Sequence, residues 1–252
     1  MISELKSREP FIDFIANSCY VSSMCTIDII IPVYNEEKFL DAIIQKVEET
    51  DFCGLEKHII LVDDCSTDSS REILAKYSNY KVYYHEKNCG KGAAVRTGIK
   101  NSSSDIICIQ DSDLEYNPED YQKLLPLIIN NEAQVVYGSR LSDKKQKKSF
   151  LFLSYVANTF LTILTNILYN CKITDMETCY KAFRRDILDG INLRAKKYDF
   201  EVELTAKIAK KGIKIKEVPI SYNGRAWTEG KKVSAKDGIH AILALIYYRF
   251  FN

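Results

Sequence analysis

Ile27-Asp28-Ile29-Ile30-Ile31-Pro32-Val33 decides the fold. It is a β-branched run broken only by Asp28 and Pro32, and it reads as a strand buried on both faces. Tyr34-Asn35-Glu36 follows it directly. Outward from this run the pattern repeats. Phe39, Leu40, Ile43, Ile44 and Val47 recur at helical spacing within 36–50. His58–Asp63 (HIILVD) is a second buried run, and a helix follows near Asp68, whose carboxylate suits the amides of Ser69, Ser70 and Arg71. Val82–Tyr84 reads as a strand, 90–100 as a helix, Ile106–Ile109 as a third buried run, and Val135–Tyr137 as another strand. Between Ile109 and Val135 a helix opens near Pro118. Strand and helix alternate with crossovers long enough for parallel pairing. The fold class is therefore α/β, an open sheet flanked by helices. Ligands of such sheets bind outside the carboxyl ends of the strands. Those ends carry Tyr34-Asn35-Glu36, Asp63-Asp64 and Asp111-Ser112-Asp113.

The rest of the chain narrows the function classes. Its 252 residues suit one large domain, and 35 basic against 34 acidic residues leave a net charge of +1. That balance argues against a general nucleic-acid binder, which needs a net basic surface. Eight cysteines form no CxxC pair, and three histidines give no zinc spacing. Residues 1–26 carry Glu4, Arg8, Glu9 and Asp13 among apolar residues, so they lack the unbroken core of a signal peptide and read as an N-terminal extension. Reduced thiols and a cytosolic setting are expected.

Three motifs at the strand ends carry chemistry. Asp111 and Asp113 stand two apart in a loop and can turn toward one hard divalent cation, with Glu115 at the next alternate position. A D-x-D alone is equally compatible with a solvated turn or a cap before Pro118. Asp63 to Asp68 is either a capping turn or a place where Asp64 reaches a base or ribose. Asn88-Cys89-Gly90-Lys91-Gly92 resembles a phosphate loop, with exposed amides and a lysine opening a helix. It lacks Walker A spacing, and a plain glycine turn is the alternative.

Taken in order, IIIPVYNEE, VDDCSTDSS, NCGKGAAVRTG, QDSDLEYNPED, YGSR and EVPISYNGR resemble the family 2 glycosyltransferases. The nearest likeness is to the polyprenyl-phosphate hexosyltransferases typified by dolichyl-phosphate mannose synthase, over about residues 27–238. The resemblance implies a GT-A fold, Rossmann-like and mostly parallel, with a nucleotide-sugar donor and inverting transfer. It implies that Pro32, Tyr34 and Glu36 line the nucleotide pocket, with Val62 and Asp64 beside base and ribose. Asp111 and Asp113 match the pair that holds Mg²⁺ or Mn²⁺ on the diphosphate, around Ser112 where relatives more often have Ala. Glu115 falls where relatives often have Gln or a similar ligand. Lys91 belongs to the phosphate-loop segment, and Arg140 resembles an arginine facing the transferring phosphate or sugar. Arg225 and Lys231 look like a late basic pair that engages phosphates and closes over the donor.

Two features point to a lipid phosphate acceptor, probed against a soluble hydroxyl acceptor as the alternative. Lys144-Lys145-Gln146-Lys147-Lys148 places four lysines in five positions, and 149–171 then carries no charge. Ser154, Asn158, Thr162, Asn166 and Asn170 recur every fourth residue there, a slowly winding polar stripe. The segment suits a membrane-interface helix, a helix packed on the sheet, or a span. Residues 239–251 form a second apolar segment, too short to span a core of about 30 Å and fit for an interfacial anchor or a subunit contact. Asp175-Met176-Glu177-Thr178-Cys179-Tyr180-Lys181 resembles the family's acceptor side. Asp175 or Glu177 would be the base if the acceptor were a hydroxyl, whereas a lipid phosphate, with a second pKa of about 6, needs cations more than deprotonation. Arg184 and Arg185 are either part of an acceptor cradle or surface charge. The expected partners are a GDP- or UDP-hexose, a polyprenyl phosphate and a membrane surface, with peripheral cytoplasmic attachment, no nucleic acid, and an oligomer left open.

Overall fold

The 27–33 run lies in the middle of the sheet. In the computed structural model, which describes residues 25–142, 152–197, 199–224 and 235–251, strand β1 (Thr26–Val33) pairs in parallel with β2 (Glu56–Asp63) and β4 (Ile106–Ile109). With β3 (Lys81–Tyr84), β5 (Val135–Ser139), β6 (Lys181–Arg184) and β7 (Ile215–Pro219), the order across the sheet is β3-β2-β1-β4-β6-β5-β7. Only β6 runs against its neighbours β4 and β5. This reversal matters for function: the start of β6, not its end, lies at the edge where the parallel strands finish.

Helices α1 (Leu40–Glu49), α2 (Ser70–Leu74), α3 (Lys91–Lys100), α4 (Tyr121–Ile129), α5 (Phe152–Tyr169), α6 (Phe200–Lys210) and α7 (Ala235–Phe250) complete the fold. Residues alternate across a strand, so β1 feeds both layers. Ile27, Ile29, Ile31 and Val33 join Ile43, Val47, Leu124 and Ile128 in one core. Ile30, Ile60, Val62 and Ile107 join Ala94, Val95 and Leu204 in the other. Cys108 is buried in the first, as a small core residue. A third cluster gathers Leu161 and Tyr169 of α5, Val202 and Ala206 of α6, and Ala241, Leu245 and Tyr248 of α7.

Helix α5 packs against the protein through part of its polar stripe. Thr162 is buried and its hydroxyl accepts from the Met176 amide at 3.1 Å, while Asn166 bonds the backbone of Ile173 in both directions. At Thr162 and Asn166 the stripe therefore faces the protein, satisfying a loop that has no strand partner there. The outward face is apolar: Val156, Phe160, Ile163 and Ile167 are exposed. Helix α7 repeats the arrangement with Ile239, Leu243, Ile246 and Phe250. Tyr169 of α5 donates to the Leu245 carbonyl at 2.6 Å, tying the two helices together. Among the described residues no helix is long and apolar enough to cross a membrane.

Candidate active site

The carboxyl ends of β1, β2 and β4 form one edge, and their loops are cross-linked. Asn35 sits at φ 52° and its side chain accepts from the Thr67 amide at 2.8 Å, while the Glu36 amide donates to Ser70 Oγ at 3.0 Å. Asp68 accepts from the amides of Ser70 and Glu37, so its cap holds two loops rather than one helix end. Tyr34 is exposed at this edge and Glu36 is nearly buried. Pro32 takes part through its carbonyl, which accepts from Ser112 Oγ at 2.9 Å.

Two expectations at this edge are corrected. Val62 is fully buried in the second core, because strand alternation points it under α3; its side chain does not face a base. Asp64 is also buried, and it takes the amides of Cys89 and Gly90 at 2.9 and 2.7 Å together with His85 Nδ1 at 2.7 Å. The first amides of the NCGKG turn are thus spent on Asp64 rather than open to a phosphate. Gly90 has φ 94°, and a Cβ there would stand 2.4 Å from the Lys196 carbonyl oxygen. The glycine serves close packing of the 194–197 segment. Asp64, His85 and Cys89 are the one three-residue group among the described residues whose ligand atoms lie within 4.8 Å of one another. His85 Nε2 is also bonded, to Thr97 Oγ1 at 2.9 Å, so this group is a hydrogen-bonded latch between β2, β3 and α3.

The D-x-D loop is anchored by its middle residue. Ser112 is buried on Pro32, leaving Asp111 and Asp113 on either side of a fixed point. Asp113 Oδ1 accepts from the Glu115 amide at 3.1 Å, and Glu115 Oε2 accepts from Tyr222 at 2.8 Å. Glu115 is turned toward Tyr222, and Asp111, Asp113 and Glu115 do not close into a three-ligand cluster as expected. Asp111 Oδ1 instead faces Lys91 Nζ at 2.6 Å. Lys91 also contacts Cys179 Sγ at 2.8 Å and Glu201 Oε1 at 3.5 Å. Burial works against its charge, but Asp111, Cys179 and Glu201 hold its pKa above the ordinary value. A positive charge is therefore accepted against Asp111, and the donors there are hard oxygens, which suits Mg²⁺ or Mn²⁺ with further ligands from a diphosphate.

The reversed β6 brings 175–180 to the same edge. Arg140, following β5, donates from Nε and Nη2 to Asp175 at 2.7 and 2.8 Å, and its amide donates to the same carboxylate at 2.9 Å. Burial opposes the Arg140 charge and Asp175 outweighs it. Its guanidinium lies 5.2 Å from the Tyr222 ring. Tyr116 and Tyr180 stack at 5.1 Å, and Tyr180 donates to Gln110 Oε1 at 3.0 Å, bracing the D-x-D loop from below. Lys181 donates to the carbonyls of Met176 and Thr178, stiffening the segment. Burial, reinforced by Glu201, raises the Glu177 pKa to about 8. Arg184 and Arg185 pair instead with Asp186 and the Ser104 carbonyl, at the far end of β6. They belong to no cradle. Arg225, Lys231 and Lys144–Lys148 lie outside the described residues.

Glu201, Tyr222, His85 and Cys179 join the site without having been singled out for it. Glu201 stands ninety residues past Asp111 on α6, and beside Glu203 in FEVEL no local spacing marks it for a role.

Comparison with known proteins bears on the family and the fold. The model of Glycosyl transferase family 2 matches residues 28–191. A UDP-N-acetylglucosamine–dolichyl-phosphate N-acetylglucosaminyltransferase of Methanococcus voltae is 31% identical over 213 residues, covering 76% of this chain and 83% of that protein. A polyprenol monophosphomannose synthase of Mycolicibacterium smegmatis is 30% identical over 212 residues, covering 78% and 77%. Among solved structures, glucosyl-3-phosphoglycerate synthase from Mycobacterium tuberculosis, in complex with Mn²⁺, UDP and phosphoglyceric acid, superposes with TM-score 0.70 at 20% identity, over 94% of this chain and 83% of that one. That likeness shows the GT-A-like fold. The chain belongs to glycosyltransferase family 2.

Proposed function

We propose that this glycosyltransferase moves a hexose, mannose or glucose, from a GDP or UDP donor to a polyprenyl phosphate at the cytoplasmic face of a membrane. The observation that carries the acceptor assignment is the apolar ridge. Among the described residues, all exposed large hydrophobic side chains but Tyr34 and Tyr84 lie on α5, on α7 or at Phe251. Such a contiguous face is unusual for a protein in water. Lys144–Lys148 directly precede α5, and each lysine near an anionic bilayer adds about 1 kcal/mol. Relatives acting on dolichyl or polyprenyl phosphate support the same acceptor.

In this reading Tyr34, Glu36 and the Pro32 backbone border the nucleoside, and Asp111 and Asp113 hold the cation on the diphosphate. A bound divalent cation supplies Lewis-acid stabilisation of the leaving diphosphate. Lys91, Arg140, Arg225 and Lys231 supply fixed positive charge around the phosphates of donor and acceptor. An ionised lipid phosphate attacks without a general base. The test is transfer into the organic phase by membranes supplied with radiolabelled GDP-mannose, UDP-glucose or UDP-N-acetylglucosamine. Asp113→Ala should lower the rate by roughly 10²–10³-fold. No lipid-extractable product with any donor overturns the proposal.

A hydroxyl acceptor would need a carboxylate base. Asp175 is committed to Arg140. Glu177, with a pKa of about 8, is the group that favours this second reading. Undiminished transfer to polyprenyl phosphate by Glu177→Gln would count against it.

A further inference from the structure

Two carboxylate oxygens in the site have no bond to make. Glu177 Oε1 and Glu201 Oε2 are buried and lack a hydrogen-bond partner among the described residues. They come from different elements, the 175–180 segment and the first turn of α6. Glu177 precedes β6, which lies on the side of β4 away from β1 and β2, and Glu201 reaches the D-x-D through Lys91. The other oxygen of Glu201 is 3.5 Å from Lys91 Nζ, which in turn holds Asp111. Glu177 is close enough for Glu201 and Arg140 to act on its charge. Buried acceptors without donors destabilise a fold, so their presence beside the strand ends calls for a ligand that brings donors.

We propose that Glu177 and Glu201 recognise the transferred sugar, their unpartnered oxygens accepting hydrogen bonds from its hydroxyl groups. This rests on the glycosyl transfer proposed above. Of the donor's three parts, the diphosphate offers no donors and repels carboxylates, and the proposed function sets the nucleoside at the end of β1, by Tyr34 and Glu36. The sugar remains, and it carries the hydroxyls from which the Glu201 carboxylate and the Glu177 carboxyl oxygen can both accept. Glu201, with Asp111 nearby, disfavours a sugar that is itself anionic.

The test is titration calorimetry of the full chain with Mn²⁺ and four probes: UDP, GDP, UDP-glucose and GDP-mannose. Glu177→Met and Glu201→Met remove the acceptors while keeping an unbranched chain. Each should weaken the preferred sugar nucleotide by about tenfold or more and leave the matching free diphosphate within about twofold. Glu177→Met should also melt no lower than wild type, because an unpaired buried oxygen is gone; a merely structural residue would melt lower. Glu177→Gln and Glu201→Gln, which keep one acceptor, should fall between, and they decide the matter if a Met variant does not fold. Unchanged binding of the sugar nucleotide, or a parallel loss for the free diphosphate, overturns the assignment. A wild-type chain that binds none of the four probes overturns the transferase reading itself.

Discussion

Asp175 spends both oxygens on Arg140, and it does so away from water. Removing one partner of a buried pair strands the other, which typically costs about 3–5 kcal/mol. Asp175→Asn should therefore lower unfolding stability in urea by that order, and Asp175→Leu with Arg140→Met should recover most of it. Glu177 gives a pH signature. Its folded pKa of about 8 lies above its ordinary 4.5, so the folded state holds a proton that the unfolded state has released between those values. Stability should fall as pH rises through that window and level off above it. Melting temperature against pH, wild type beside Glu177→Gln, should show a flatter curve for the variant. The strand-end acids were legible in the sequence because each follows its own buried run. Their roles were less so. Asp64 reads as a nucleotide ligand until Cys89, Gly90 and His85 arrive from two later elements and take its carboxylate. Glu115 likewise meets Tyr222, more than a hundred residues away, a contact no local spacing announces.

At the scale of elements, β1, β2, β4 and α3 could be read almost residue for residue, since period and glycine punctuation agree there. Strands β6 (KAFR) and β7 (IKEVP) are too short to show a period, and they are strands because sheet neighbours make them so. Helix α5 misleads in a more instructive way. Its stripe of Ser, Asn and Thr does not say which way it turns, yet Thr162 and Asn166 bond the 173–176 loop, and the side left over is greasy. Only the loop's unmet amides decide which face turns in. The outward ridge should be open to charge without loss of fold. Phe160→Glu and Leu243→Glu are expected to lower co-sedimentation with vesicles of anionic phospholipid by about tenfold or more together. Their melting temperatures should match wild type. Equal co-sedimentation would remove the membrane from the proposal.

For the whole molecule, a net charge of +1 conceals a division. Acids gather at the strand ends, lysines gather before α5, and neither sum nor composition shows it. The single reversed strand is what makes one site from these parts. By entering the sheet at the working edge, β6 delivers Asp175, Glu177 and Lys181 beside strand ends that a wholly parallel sheet would have kept from them. If the ridge formed by α5 and α7 seats on a bilayer as proposed, it changes the kinetics as well as the address. A catalyst resting on such a face searches for its acceptor in two dimensions. Its velocity then follows the mole fraction of polyprenyl phosphate in the bilayer, so adding inert phospholipid at constant total acceptor slows it by dilution within the surface.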